Sequence, residues 1–424
     1  MELSVFNNSK LSDHEVRLFP SIYIRGEKEP EMRATAALLA MVRAVSEFGG
    51  IIIKQTGGPG GKAKNVECLT EVSFLPDFPE DNDPARPDGI IRRKYGKKIW
   101  TAFVEVKVGK SEIDKMQVNK YLKWANSLDF DALITISNQI TRPNGDPPYN
   151  YNRRIKKVKV KHFSWEKIHS IVQNLCGIEQ NIEDLDQKWM LEQFDKYLAD
   201  DNSRIIAPPS FGKHWHSVLK NAKQGTLRTH KNQIQDVIQY WFAFLRVASF
   251  KIGAKMGQDV RIRIPRKYKT DSTGFINESC NKAIDTGYLI GELIFPGMKD
   301  IKISVNLRST TLHLSHEVLA PQDGRRDRRV RWIIRELKKQ GKIPKSIRIK
   351  IDWKQRGLIT CEDYENLTEG INPLLRGEGN MQVSKDVMPK YFIIEYEKPL
   401  TAIRGKGSIE ELRGVQKDLE DFTV

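Results

Sequence analysis

The chain has 424 residues, 39% of them hydrophobic, with a formal net charge of +16 and a pI near 9.5. That length and apolar content predict two or three folded domains, and they exclude a disordered or fibrous chain. The charge excess attracts polyanions without choosing among them, and no apolar run approaches the ~20 residues of a membrane span, so no membrane partner is expected.

The first residues, MELSVFNNSKLSDHEVRL, lack the apolar segment of a secretory signal. Cys68, Cys176, Cys280 and Cys361 form no CxxC pair. A cytoplasmic protein without zinc or disulfides is therefore expected. Residues 31–48 repeat apolar side chains at helical spacing and meet Gly49-Gly50, which predicts a helix with a glycine stop. IIIK then reads as a short strand and QTGGPGGKAKN as a flexible glycine turn. A phosphate-binding loop fails here. Its first glycine would fall on Thr56, and Ala63 follows Lys62 where a hydroxyl is needed for magnesium.

Three strands follow: ECLTEVSFL at 67–75, PDGIIRR at 87–93 and KIWTAFVEVKV at 98–108. The last two form a hairpin around KYGKK. A helix begins near Ser111 or Asp114, and DALITISN at 131–138 reads as a buried strand. RRIKKVKVKHF at 153–163 alternates basic and apolar residues, and SWEKIHSIVQNL returns to helix. This α-β-β-β-α-β order predicts one mixed sheet covered by helices over 1–178. Residues 179–208 read as a helical connector. Residues 209–424 read as a separate α+β domain, with helices around Trp215 and over 232–253, strands over VRIRIP, GYLIGELIFP, IKISVNL, TTLHLSH, SIRIKIDW and KYFIIEY, a basic helix over 325–341 and a polar C-terminal helix. Trp124, Tyr240 and Trp241 are expected in the core. His214 and His216 lack cysteine partners and are not expected to hold a metal.

Strand side chains alternate faces. Ala102, Val104, Val106 and Val108 therefore share one side, and Phe103, Glu105 and Lys107 the other. A buried charge is costly unless it is paired or bound to a metal. An ion pair between Glu105 and Lys107 at a sheet edge would satisfy this; so would a cation site. Asp88 starts the neighbouring strand after Pro87 and falls opposite Glu105. Two carboxylates then converge beside an ammonium, a donor set that suits Mg²⁺ at ~2.0–2.1 Å.

Pro87-Asp88, the Glu-x-Lys of VEVKV and the α-β-β-β-α-β order resemble the PD-(D/E)XK motif of the restriction-endonuclease-like nuclease superfamily, over roughly residues 30–175. The resemblance implies a restriction-endonuclease-like fold and Mg²⁺- or Mn²⁺-dependent hydrolysis of DNA phosphodiesters. It implies that Asp88, Glu105 and the Val106 carbonyl are metal ligands, and that Lys107 is the base that positions the attacking water, or stabilises charge. Gln117 and Tyr121, four apart on the next helix, match a pair found in some members. Some members add an acid from the first helix or strand; Glu31, Glu47 and Glu71 are in place, with Glu71 preferred because it sits in a strand. Defence, repair or stress response is the setting implied.

Arg153, Arg154, Lys156 and Lys157 are placed either to track a nucleic-acid backbone or to guard a sheet edge. Arg325, Arg326, Arg328 and Arg329 open a helix that reads either as a solvated basic face or as a phosphate-binding one. DNA is the expected partner, with RNA and self-association as further ones. The alternative function is a catalytically silent nucleic-acid-binding or regulatory protein built on the same fold.

Overall fold

The computed structural model describes residues 11–15, 28–74, 86–142, 145–177, 182–200, 203–206, 210–339, 346–367, 370–376, 382–400 and 407–423. The chain forms two compact units, 1–208 with 253–257, and 209–252 with 258–424.

The first unit has an α/β architecture around a six-stranded mixed sheet. Its strands are β1 (Leu11–Glu15), β2 (Val66–Phe74), β3 (Gly89–Tyr95), β4 (Lys98–Val106), β5 (Ala132–Ser137) and β6 (Lys159–Ser164), in that spatial order. The first four are antiparallel, and β4, β5 and β6 run parallel. The strand β4 is thus where the sheet changes sense. Its hairpin with β3 pairs Tyr95 with Lys98 and Gly89 with Val104. Gly96 has φ +57°, and positive φ at the first turn position alone is the type II′ pattern.

Alternation along β4 divides the core. Ala102, Val104 and Val106 join a cluster with α1 (Glu29–Ala44), α2 (Ser46–Gln55), α4 (Trp165–Gly177) and α5 (Leu185–Ala199). Phe103 joins a second cluster with Val118, Tyr121, Leu122 and Ala125 of α3 (Lys115–Ser127). Asp114 caps α3 by accepting from the Met116 N–H at 3.0 Å. The helix α5 is part of this unit's core rather than a connector, since Leu191, Phe194 and Leu198 are buried against α1 and α4 residues.

The helix over 31–48 does not stop at Gly49-Gly50. It breaks at Val45, bends by 105° and resumes as α2, which absorbs IIIK. The glycines are there for close approach. A Cβ at Gly49 would lie 2.3 Å from the Val42 carbonyl oxygen, and one at Gly50 2.2 Å from that of Gly61. The following glycine turn is pinned by buried Arg93, which donates to the carbonyls of Pro59, Gly60 and Lys62 at 2.7, 3.2 and 2.8 Å. No single helix among the described residues is long and apolar enough to cross a membrane.

The second unit is built on a seven-stranded antiparallel sheet of β7 (Arg261–Ile262), β8 (Tyr288–Ile294), β9 (Ile301–Asn306), β10 (Thr311–Leu319), β11 (Ile347–Trp353), β12 (Ile359–Asp363) and β13 (Pro389–Pro399), ordered β12-β11-β13-β10-β9-β8-β7. Its helices are α6 (Trp215–Lys223), α7 (Lys231–Met256), α8 (Ser272–Thr286), α9 (Arg326–Lys339) and α10 (Gly407–Thr423). The sequence reading did not place α8 or β12. Trp241 on α7 is fully buried, whereas Tyr240 is 40% exposed, outside the core expected for it.

Candidate functional site

The hairpin register delivers Asp88 to Glu105. Because Gly89 pairs with Val104, the residues one step out face each other across the strands. Asp88 is fixed there by its Oδ2, which accepts from the Val106 N–H at 2.7 Å. Glu105 is 1% exposed. Lys107, just past the end of β4, donates from Nζ to Glu105 Oε1 at 2.7 Å, to Glu31 Oε1 at 2.9 Å and to the Val106 carbonyl at 3.1 Å. It lies 4.0 Å from Asp88 Oδ2. Glu31 enters from the first turn of α1, where Pro30 and acidic side chains suit a helix start.

These charges perturb one another. Burial, then the neighbouring Asp88 carboxylate, push the Glu105 carboxyl up to about 8. Burial likewise pushes Asp88 up to about 6, against the pull of the Lys107 ammonium. Burial alone would lower Lys107, but Asp88, Glu105 and the bonds from Glu105 and Glu31 outweigh it and hold the ammonium above its ordinary range. With no metal bound, Lys107 is therefore held as a cation that donates to these carboxylates.

Glu105 Oε2 is buried without a hydrogen-bond partner. Protonated, Glu105 can hydrogen-bond to the adjacent Asp88 carboxylate; ionised, its buried oxygen calls for a cation or another donor. Among the described residues, however, no three His, Cys, Asp or Glu side chains gather as a metal cluster. Two carboxylates and the Val106 carbonyl are the donors at hand, and Mg²⁺ commonly completes such a set with water.

Gln117 and Tyr121 meet as expected of an i,i+4 pair, Gln117 Nε2 donating to Tyr121 Oη at 3.0 Å. The Tyr121 hydroxyl in turn donates to the Arg86 carbonyl at 2.6 Å, which anchors the chain two residues before Asp88. Glu47 is engaged elsewhere, by Lys62 at 3.0 Å and Ser46 at 2.8 Å. Glu71 lies in β2, but its side chain is outside the described residues. The third carboxylate of the site is Glu31.

Sequence reasoning missed a buried polar row beside Glu105. Thr135 is the β5 partner of Glu105, and His162 is the β6 partner of Thr135. Thr135, His162 and Tyr149 are all buried. Burial pushes the His162 imidazole down to about 4, so it is neutral. Its Nε2 faces the Gln139 carbonyl at 2.7 Å and must carry the proton. Nδ1 then accepts from Thr135 Oγ1 at 2.9 Å, and Thr135 accepts from the Tyr149 hydroxyl. The available signal was one threonine in the apolar strand ALITIS and one histidine in KVKHFS.

The basic segments divide. Arg153, Arg154, Lys156 and Lys157 are exposed, in a loop before β6 rather than in the strand expected, with Arg153 paired to Asp146 at 2.7 Å and Lys157 to Asp129. Arg325 and Arg328 are exposed. Arg326 and Arg329 are not available to phosphates. They are 3% and 9% exposed, and donate to the carbonyls of Val383, Gly324 and Gln322. Amphipathic spacing turned them inward.

Compared with family models, curated proteins and solved structures, the chain matches none.

Proposed function

We propose that the first unit is a metal-dependent nuclease of restriction-endonuclease-like type that hydrolyses DNA phosphodiesters. The observation that carries this reading is the meeting of Asp88, Glu105 and Lys107 at one end of β4, with Glu105 Oε2 buried and unpartnered. Asp88, Glu105 and the Val106 carbonyl would hold Mg²⁺ or Mn²⁺. Bound there, the ion would stabilise charge on a phosphoryl oxygen and acidify a water. Lys107, beside both carboxylates, is placed to orient or deprotonate the attacking water or to donate to a non-bridging oxygen. Tyr121, through the Arg86 carbonyl, positions Asp88. The net charge of +16 suits a polyanionic substrate.

A second reading has one observation in its favour. The Lys107 ammonium already bridges Glu105 and Glu31, so the cluster is neutralised in part without any ion. On that reading the site is structural and the protein binds nucleic acid without cutting it.

Linear, circular and single-stranded DNA incubated with Mg²⁺ or Mn²⁺ separate the two, beside an Asp88→Ala/Lys107→Ala double variant. Metal-dependent cutting that the variant lacks is the expected result. Equal binding by both proteins with no cutting by either would overturn the nuclease reading.

A further inference from the structure

In the second unit, α9 presents a different set of cations from those of its first turn. Arg331, Arg335 and Lys338 stand at i, i+4 and i+7 and line an open groove of about 470 Å³. All three are exposed. The groove's floor is aliphatic: Ile334, Leu367 and Ile371 are 7%, 2% and 5% exposed. Among the described residues neither Arg331 nor Lys338 holds an ion pair, and Arg335 has only Glu336 at 3.9 Å. The groove therefore joins three cations with little compensation to an apolar surface.

The spacing narrows the occupant. At 1.5 Å per residue, Arg331 to Lys338 covers about 10 Å of helix axis. In a duplex three successive phosphates of one strand span only about 7 Å of axis, at about 3.4 Å per step, so a strand drawn out beyond duplex spacing is the better match to three cations over about 10 Å. A duplex keeps its base faces stacked inside, whereas a single strand offers them to an apolar floor. We propose that this groove binds single-stranded nucleic acid, with phosphates on Arg331, Arg335 and Lys338 and a base against Ile334, Leu367 and Ile371. The binding needs no chemistry at Asp88, Glu105 or Lys107, so it stands or falls apart from the nuclease reading.

The test is fluorescence anisotropy of a labelled oligothymidylate on the full chain in EDTA, where metal-dependent cutting is off. An Arg331→Ala/Arg335→Ala/Lys338→Ala variant is compared with a charge-matched control, Lys269→Ala/Lys282→Ala/Lys385→Ala, whose lysines are also exposed. Circular dichroism checks that both fold. The groove variant is expected to bind at least about ten-fold more weakly than the control. Its plot of log affinity against log salt should be shallower by about 2, from ~0.7 per lost contact. Equal weakening in the two variants would overturn the proposal. So would a duplex bound as tightly as the strand with the same loss, or displacement of the strand by polyglutamate at equal charge, which would mark the groove as a site for an acidic protein.

Discussion

The Asp88 carboxylate accepts the Val106 N–H at 2.7 Å, so one side chain both closes the β3–β4 ladder and stands among the site's acids. Asp88→Asn separates these roles, because the amide oxygen can still accept that bond. The variant is expected to stay within about 1 kcal/mol of the parent in denaturant unfolding. Metal-dependent DNA cleavage should fall by about a hundred-fold or more, as a ligand charge is lost. Cleavage at the parental rate would remove Asp88 from the metal set.

Lys107→Met takes the ammonium away from Glu105, Glu31 and Asp88. Breaking a buried pair while leaving its partner charged costs about 3–5 kcal/mol. Below about pH 8 the parent's Glu105 already holds a proton, so there is less charge for Lys107 to compensate there. The loss of melting temperature should therefore be larger at pH 9 than at pH 6. Added Mg²⁺ should also raise the melting temperature of Lys107→Met more than that of the parent, because the ion no longer competes with the ammonium. Equal shifts would mean that no divalent ion enters the cluster.

The two raised carboxyl groups set the pH dependence of metal-free stability. Between the ordinary carboxylate range and about pH 8, folded Glu105 holds a proton that the unfolded chain has released. Asp88 does the same up to about pH 6. Folding then binds protons, so stability falls as pH rises through this window, by up to about 1.4 kcal/mol per pH unit for each group. Neutral His162 works the other way below about pH 6.5 and offsets Asp88 there, so melting curves in EDTA should show the decline from about pH 6.5 to pH 8, and Glu105→Gln should flatten it. A melting temperature that rises over this range in the parent would contradict the burial of Glu105.

Tyr121→Phe removes the bond to the Arg86 carbonyl and the acceptor of the Gln117 amide, and nothing from the aromatic packing against Phe103. Stability should fall by about 1 kcal/mol. If Tyr121 positions Asp88, half-saturating Mg²⁺ for cleavage should rise while binding of DNA in EDTA is unchanged.

Gly50→Ala tests the packing of α2 against the glycine turn that follows it. The new methyl would sit 2.2 Å from the Gly61 carbonyl oxygen, so backbone must shift, at a cost of about 1–3 kcal/mol. A melting temperature equal to the parent's would show that the loop yields freely.

The β3–β4 hairpin was readable in advance because its determinants are local: alternation of Val with Phe, Glu and Lys, and a glycine at the turn. Register follows, and with it the meeting of Asp88 and Glu105. Glu31 was not singled out because its role depends on where α1 docks, which no local pattern records. The run Ile51–Ile53 is β-branched and reads as strand. Tertiary contact overrode that preference, with the two glycines ahead of it admitting two backbones to close range. On α9 the reverse held. Arg325, Arg326, Arg328 and Arg329 were read together as one basic face, solvated or phosphate-binding, but helical periodicity sent Arg326 and Arg329 inward and left Arg331, Arg335 and Lys338 outside.

The site also divides by distance along the chain. Asp88 and Val106 are 18 residues apart and Glu105 and Lys107 only 2, so a single early hairpin gathers them. The Lys107–Glu31 bond spans 76 residues. Closing that longer loop costs more entropy and waits for α1 to dock. Contact order therefore predicts that the two acids and the lysine meet first during folding, as a partly solvated group. The last carboxylate arrives with the helix, so the finished charge cluster is itself a record that the first unit has closed.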